Sequence, residues 1–114
     1  MVKDKALSLV GLATKAGKTV SGEFSTENSI KRHKARLVLI AGDASDNTKK
    51  KFRDKCQFYS VPVYIYGTKD TLGHAMGKQE RACAAIEDRG FAKSLVTLFG
   101  GNAEYGENSD HEAN

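Results

Sequence analysis

The segment that most limits what this chain can fold into is Leu37-Val-Leu-Ile-Ala41, five consecutive apolar side chains set between IKRHKAR and the basic run TKKKFRDK. Side chains of a strand point alternately to two faces, so a run with no polar member leaves both faces to be covered. Helices layered on both sides of a sheet meet that demand. The expectation is therefore an α/β chain, a three-layer α/β/α sandwich with a small mixed sheet of about four strands. Lys and Arg gathered at the rim of such a sheet can displace counterions from a phosphate backbone, which makes nucleic acid the first partner to consider.

The rest of the chain alternates in the same way. Ala6, Leu9, Val10, Ala13 and Ala16 share one helical face, predicting a helix over about Lys3 to Ala16 that ends on Gly17. Thr19 to Ser21 is β-prone, Gly22 breaks the chain, and Glu23 to Lys34 reads as a second helix. After the apolar strand, Asp46 or Asn47 caps a basic helix over about Thr48 to Tyr59, and a strand starts at Pro62. A short helix runs from Thr68 to Gly77, and a loop over Lys78 to Arg81 leads to a strand over Ala82 to Ile86. A turn from Glu87 to Gly90 then precedes a last helix over about Phe91 to Phe99.

Composition separates the two ends of the chain. The fourteen residues from Gly101 hold four of the 14 acids and none of the 18 Lys and Arg, so residues 1–100 carry a formal +8 where the whole chain carries +4. The sequence predicts one domain over 1–100 and an acidic, disordered tail over 101–114. Cys56 and Cys83 are far apart with no CxxC spacing, and no apolar signal segment follows Met-Val-Lys-Asp-Lys, which suggests a reduced, cytoplasmic setting. No apolar run approaches the roughly 20 residues of a membrane helix, so no membrane role is expected.

Motifs with chemistry are few. GLATKAGKT imitates a phosphate-binding P-loop, but five residues rather than four separate Gly11 from Gly17, and helical rather than strand periodicity precedes them. Gly17 therefore reads as a helix cap, and no nucleotide cofactor is expected. His33, His74 and His111 fall on three different predicted elements without a second ligand nearby, so no metal is expected either. The serines lack a nucleophile-elbow pattern, the cysteines read as small core residues, and the chain reads as a binder rather than an enzyme. Lys49-Lys50-Lys51 is open to two readings, a solvated helix face or part of a binding surface. Lys18, Lys31, Lys34 and Lys78 fall at the ends of elements near Gly turns, where backbone N–H donors also gather.

GEFSTENSIKRHKARLVLIAGDASDNTKKK, followed by VPVYIYGTKDTLGHAMGK, resembles the kink-turn-binding superfamily of ribosomal proteins and, within it, the small bacterial YlxQ-like group. The resemblance spans nearly all residues from Ala6 to Phe99 and implies a small α/β/α sandwich. Members that bind kink-turns present the start of their second helix to RNA through a Gly-x-Asn-Glu-x-x-Lys pattern. Aligned on Gly22, this chain has Glu23 next, Phe24 in place of Asn, Ser25 in place of Glu and Asn28 in place of Lys. Phe24 can stack on an unpaired base or pack inward, while Ser25 and Asn28 can bond to base edges or sugars. The family's second contact loop corresponds to Lys78, Gln79, Glu80 and Arg81.

The resemblance thus implies binding of structured RNA, ribosomal or otherwise cytoplasmic, through Gly22 to Asn28, Lys31 and the 78–81 loop. The alternative is a protein-interaction module on the same fold, with a ribosome-associated protein as partner.

Overall fold

The computed structural model describes residues 4–101; the predicted tail lies, beyond Gly101, outside the described residues. The elements run α1 (Lys5–Lys15), β1 (Thr19–Ser21), α2 (Glu23–Lys31), β2 (Leu37–Ile40), α3 (Asp46–Tyr59), β3 (Val63–Ile65), α4 (Lys69–Ala75), β4 (Cys83–Ile86) and α5 (Arg89–Leu98). They form one four-stranded sheet in the order β1-β4-β2-β3. β4 is antiparallel to both β1 and β2, whereas β2 and β3 are parallel, so the sheet is mixed.

Every residue of β2 is buried, as its unbroken apolar run requires. Leu37, Leu39 and Ala41 face one layer with Ala84 and Ile86, against Ala6 and Val10 of α1, Leu72 of α4 and Leu95 of α5. Val38 and Ile40 face the other with Val63 and Ala85, against Ile30 of α2 and Phe52 and Cys56 of α3. Period-two alternation along the strands thus produces the three layers directly. Both cysteines are free and buried, and burial pushes the Cys56 thiol up to about 12 and the Cys83 thiol up to about 11.

Local chemistry moves three boundaries from where sequence puts them. The cap of α3 is Ser45 rather than Asp46 or Asn47: its backbone is extended and its hydroxyl accepts the Thr48 N–H at 3.1 Å, leaving Asp46 in the first turn where an acid suits the helix dipole. α2 stops at Lys31 rather than Lys34, because His33 adopts a left-handed backbone with φ 60° and the Lys34 N–H turns back to the Ser29 carbonyl. The Glu87–Gly90 segment is not a separate turn. The Asp88 carboxylate accepts the Phe91 N–H at 2.9 Å and starts α5 at Arg89.

Gly17 has φ 74° and closes α1 by the same wrap-back, with the Lys18 N–H on the Ala13 carbonyl at 2.9 Å, so the P-loop imitation is a helix terminus. No helix of the described residues is long and apolar enough to cross a membrane.

Candidate functional site

Among the described residues, four of the five helices begin with a side chain bonded to their free backbone N–H groups: Asp4 for α1, Ser45 for α3, Thr68 for α4 and Asp88 for α5. α2 does not. Its cap is Gly22, with φ 89° and ψ 161°, which offers no side chain and occupies backbone space that is essentially reserved for glycine. A Cβ built on Gly22 would meet nothing within 4 Å, so the approach to the helix start is open. The first N–H groups of a helix have no partner within it, and together with the helix dipole they favour an anion.

Beside this opening, α1, β1, α2 and the 78–81 loop enclose a polar groove of about 360 Å³. Thr14, Thr19, Ser21 and Ser25 line it with hydroxyls, Met76 adds an apolar surface, and Lys78 and Arg81 supply positive charge. The Thr14 hydroxyl donates to the Val10 carbonyl at 2.9 Å, which leaves it to accept from Thr19 at 3.0 Å. Arg81 donates through Nε to Ser21 Oγ at 3.1 Å and through Nη1 to the Glu80 carbonyl at 2.9 Å, so its guanidinium plane is held at the groove.

The loop that carries these cations is held from beneath. A Cβ on Gly73 of α4 would lie 1.8 Å from the Gln79 carbonyl oxygen, so only glycine lets the loop cross the helix. The Lys78 N–H donates to the Gly73 carbonyl and the Arg81 N–H to that of Lys69. Gln79 contributes that close backbone passage, and its side chain is exposed.

Phe24 is 83% exposed, which excludes inward packing. Asn28 is also exposed, one turn further along α2. Glu23 points to α3: its carboxylate accepts from Thr48 Oγ1 at 3.0 Å and lies 3.9 Å from Lys51 Nζ. Glu27, the next residue on that face, binds Lys51 at 3.0 Å, Lys31 at 3.3 Å and Lys55 at 3.4 Å. The hydrogen bonds from Lys51 and Lys31 hold its carboxyl down to about 2, against an ordinary 4.5, and Lys51 is correspondingly raised.

Sequence reasoning treated the candidate cations as one surface, and the structure divides them between two ends of the sheet. The Gly22 N–H donates to the backbone carbonyl of Cys83, the first residue of β4, while the Lys18 carbonyl accepts the N–H of Glu87, just past its end. Gly22, Phe24, Ser25, Lys78, Gln79 and Arg81 gather at the first end. Lys18, Lys31 and Lys34 lie toward the other, about 13 Å away along the nine residues of α2. Thr14, Thr19 and Ser21, which line the same groove, are not among the residues the sequence singles out. Their signal was faint, two hydroxyls alternating on a three-residue strand and a third on a neighbouring helix.

A model of the ribosomal protein L7Ae/L30e/S12e/Gadd45 family matches residues 4–96. The chain belongs to that family. It is 44% identical over 91 residues to the RNA-binding protein YlxQ of Bacillus subtilis (strain 168), covering 80% of this chain and 91% of the relative. It is 41% identical over 99 residues to the RNA-binding protein YlxQ of Enterococcus faecium, covering 87% and 95%. A solved structure of a Bacillus halodurans protein of unknown function superposes with a TM-score of 0.83 at 38% identity, covering 86% of this chain and 99% of that one. The Giardia lamblia 15.5kD RNA binding protein superposes at 0.73 with 24% identity, over 91% and 92%, and shows the shared fold. Belonging to the L7Ae/L30e/S12e/Gadd45 family accounts for the α/β/α architecture read from the sequence.

Proposed function

We propose that this protein is a non-catalytic binder of structured RNA and that the open start of α2, the groove beside it and the 78–81 loop form its contact surface. The observation that carries the reading is the uncapped N-terminus of α2 with Lys78 and Arg81 at its side. In this reading the free N–H groups of α2, Lys78 and Arg81 take phosphates, Phe24 stacks on an unpaired base, and Ser25 and Asn28 meet base edges or sugars. Glu23 braces α2 against α3, which turns its charge away from the RNA. Lys31 shares its charge with Glu27, so its part in binding is minor. The relatives named as RNA-binding proteins support the same conclusion.

A ribosomal or ribosome-associated RNA in the cytoplasm is the target we favour, on the strength of the family. Crosslinking and sequencing of RNA bound in cells of the source organism tests this, with the Lys78→Glu/Arg81→Glu variant alongside. Enrichment at one folded RNA site, lost in a variant that still melts like the parent, is the expected result. Signal no stronger than the variant's would refute the reading and favour a protein partner.

A further inference from the structure

Some cations of this chain are held by carboxylates and others are not. Lys31, Lys51 and Lys55 converge on Glu27, and Lys50 pairs with Asp54 at 2.7 Å. At the far end of the sheet from the α2 start, Arg36, Arg89 and Lys93 line a second groove of about 550 Å³ together with Ala92, Val96 and Thr97. All three cations are exposed, and among the described residues none has an ion pair or a side-chain hydrogen bond. The acids nearest in sequence are engaged: Glu87 accepts from the Ser29 hydroxyl at 2.6 Å, and Asp88 caps α5.

The arrangement is unfavourable for the protein by itself. Arg89 and Lys93 are four apart on one helix face, where like charges repel. Arg89 also opens α5, where the helix dipole disfavours a cation and the neighbouring Asp88 carboxylate is turned to the Phe91 N–H as the helix cap. Arg36 is anchored at the sheet end by its backbone N–H on the Ile86 carbonyl at 2.7 Å, so it stays close to this pair. A phosphate-bearing ligand relieves each of these terms. Two guanidinium forks match phosphate oxygens, and Ala92 and Val96 offer apolar surface to the face of a ribose.

We propose that this groove is a second RNA contact, holding the sugar–phosphate backbone of a strand that flanks the element bound at the α2 start. The proposal rests on the RNA-binding reading above and adds a second point of attachment at the opposite end of the sheet.

Amide chemical-shift mapping of the full chain with a 15-nucleotide oligouridine, together with anisotropy across a salt series, tests it. Arg36, Arg89 and Lys93 amides should shift, and they should still shift in Lys78→Gln/Arg81→Gln. The Arg36→Gln/Arg89→Gln/Lys93→Gln variant should bind at least about tenfold more weakly at 0.1 M salt, with a salt slope smaller by about 2. Shifts confined to the α2 start and the 78–81 loop would overturn the second site and leave the RNA-binding reading intact. If a poly-glutamate peptide moves the same amides at lower concentration than oligouridine, the groove is an acidic-peptide site and the proposal fails. Absence of shifts at both ends, with oligouridine and with ribosomal RNA fragments, would remove the RNA-binding reading as well.

Discussion

Each of the five described helices closes on a residue with a left-handed backbone, followed by an N–H that returns five residues to a carbonyl: Lys18 to Ala13, Lys34 to Ser29, Val61 to Cys56, Lys78 to Gly73 and Gly101 to Val96. Gly17, Gly77 and Gly100 take that conformation in α1, α4 and α5, but His33 and Ser60 take it in α2 and α3. An L-residue there costs roughly 1–2 kcal/mol, part of which glycine gives back through its freer unfolded chain. His33 has a ring contact with Tyr59 at 5.6 Å in return, whereas Ser60 is exposed with no side-chain contact of that kind. Ser60→Gly should therefore stabilise the protein by about 0.5–1 kcal/mol. A urea melt with an unchanged or lower midpoint would refute this.

At the scale of elements, two pairings decide where the site sits. α4 holds the 78–81 loop through Gly73, and the atom that a Cβ would meet at 1.8 Å is backbone, which cannot rotate away. Gly73→Ala should lift the loop, destabilise the fold by about 1–3 kcal/mol and weaken RNA binding even in conditions where the variant is fully folded. Loss of stability with unaltered binding would show that the loop's position does not matter.

α2 and α3 are joined by the Glu27 network. Its carboxyl sits near 2 in the fold and near 4.5 without partners, so the stability it contributes is complete above about pH 4.5 and is lost as pH falls toward 2. Glu27→Gln should lower stability near neutrality by about 1 kcal/mol and flatten the fall between pH 4.5 and 2. Parallel acid-unfolding curves for variant and parent would contradict this.

Over the whole molecule, charge is the property that links fold to function. Glu104, Glu107, Asp110 and Glu112 lie outside the described residues, yet they bring the formal charge from +8 down to +4. A chain ending at Gly101 should elute from immobilised heparin at higher salt than the full chain, because unscreened acids weaken attraction to polyanions. Equal elution would mean that these acids do not act on the binding surface.

Sequence by itself determined the layered architecture. Strand and helix periodicities, apolar runs and cap residues are properties of neighbours along the chain, so β2 at the centre, Gly17 as a terminus and Gly22 as a break were all legible. The boundaries that shifted, at Ser45, His33 and Asp88, did so by one to three residues, because a cap is chosen by which side chain reaches a particular N–H and by where the backbone turns left-handed. Only the tertiary structure decided which charges remain available. Lys51 and Lys55 look like a solvated basic face until the fold sets them against Glu27 of the neighbouring helix, and Lys78 and Arg81 join Ser25 only because β4 lies beside β1. Coulombic pairing depends on distance through space, and no local pattern records which segments the sheet will bring together.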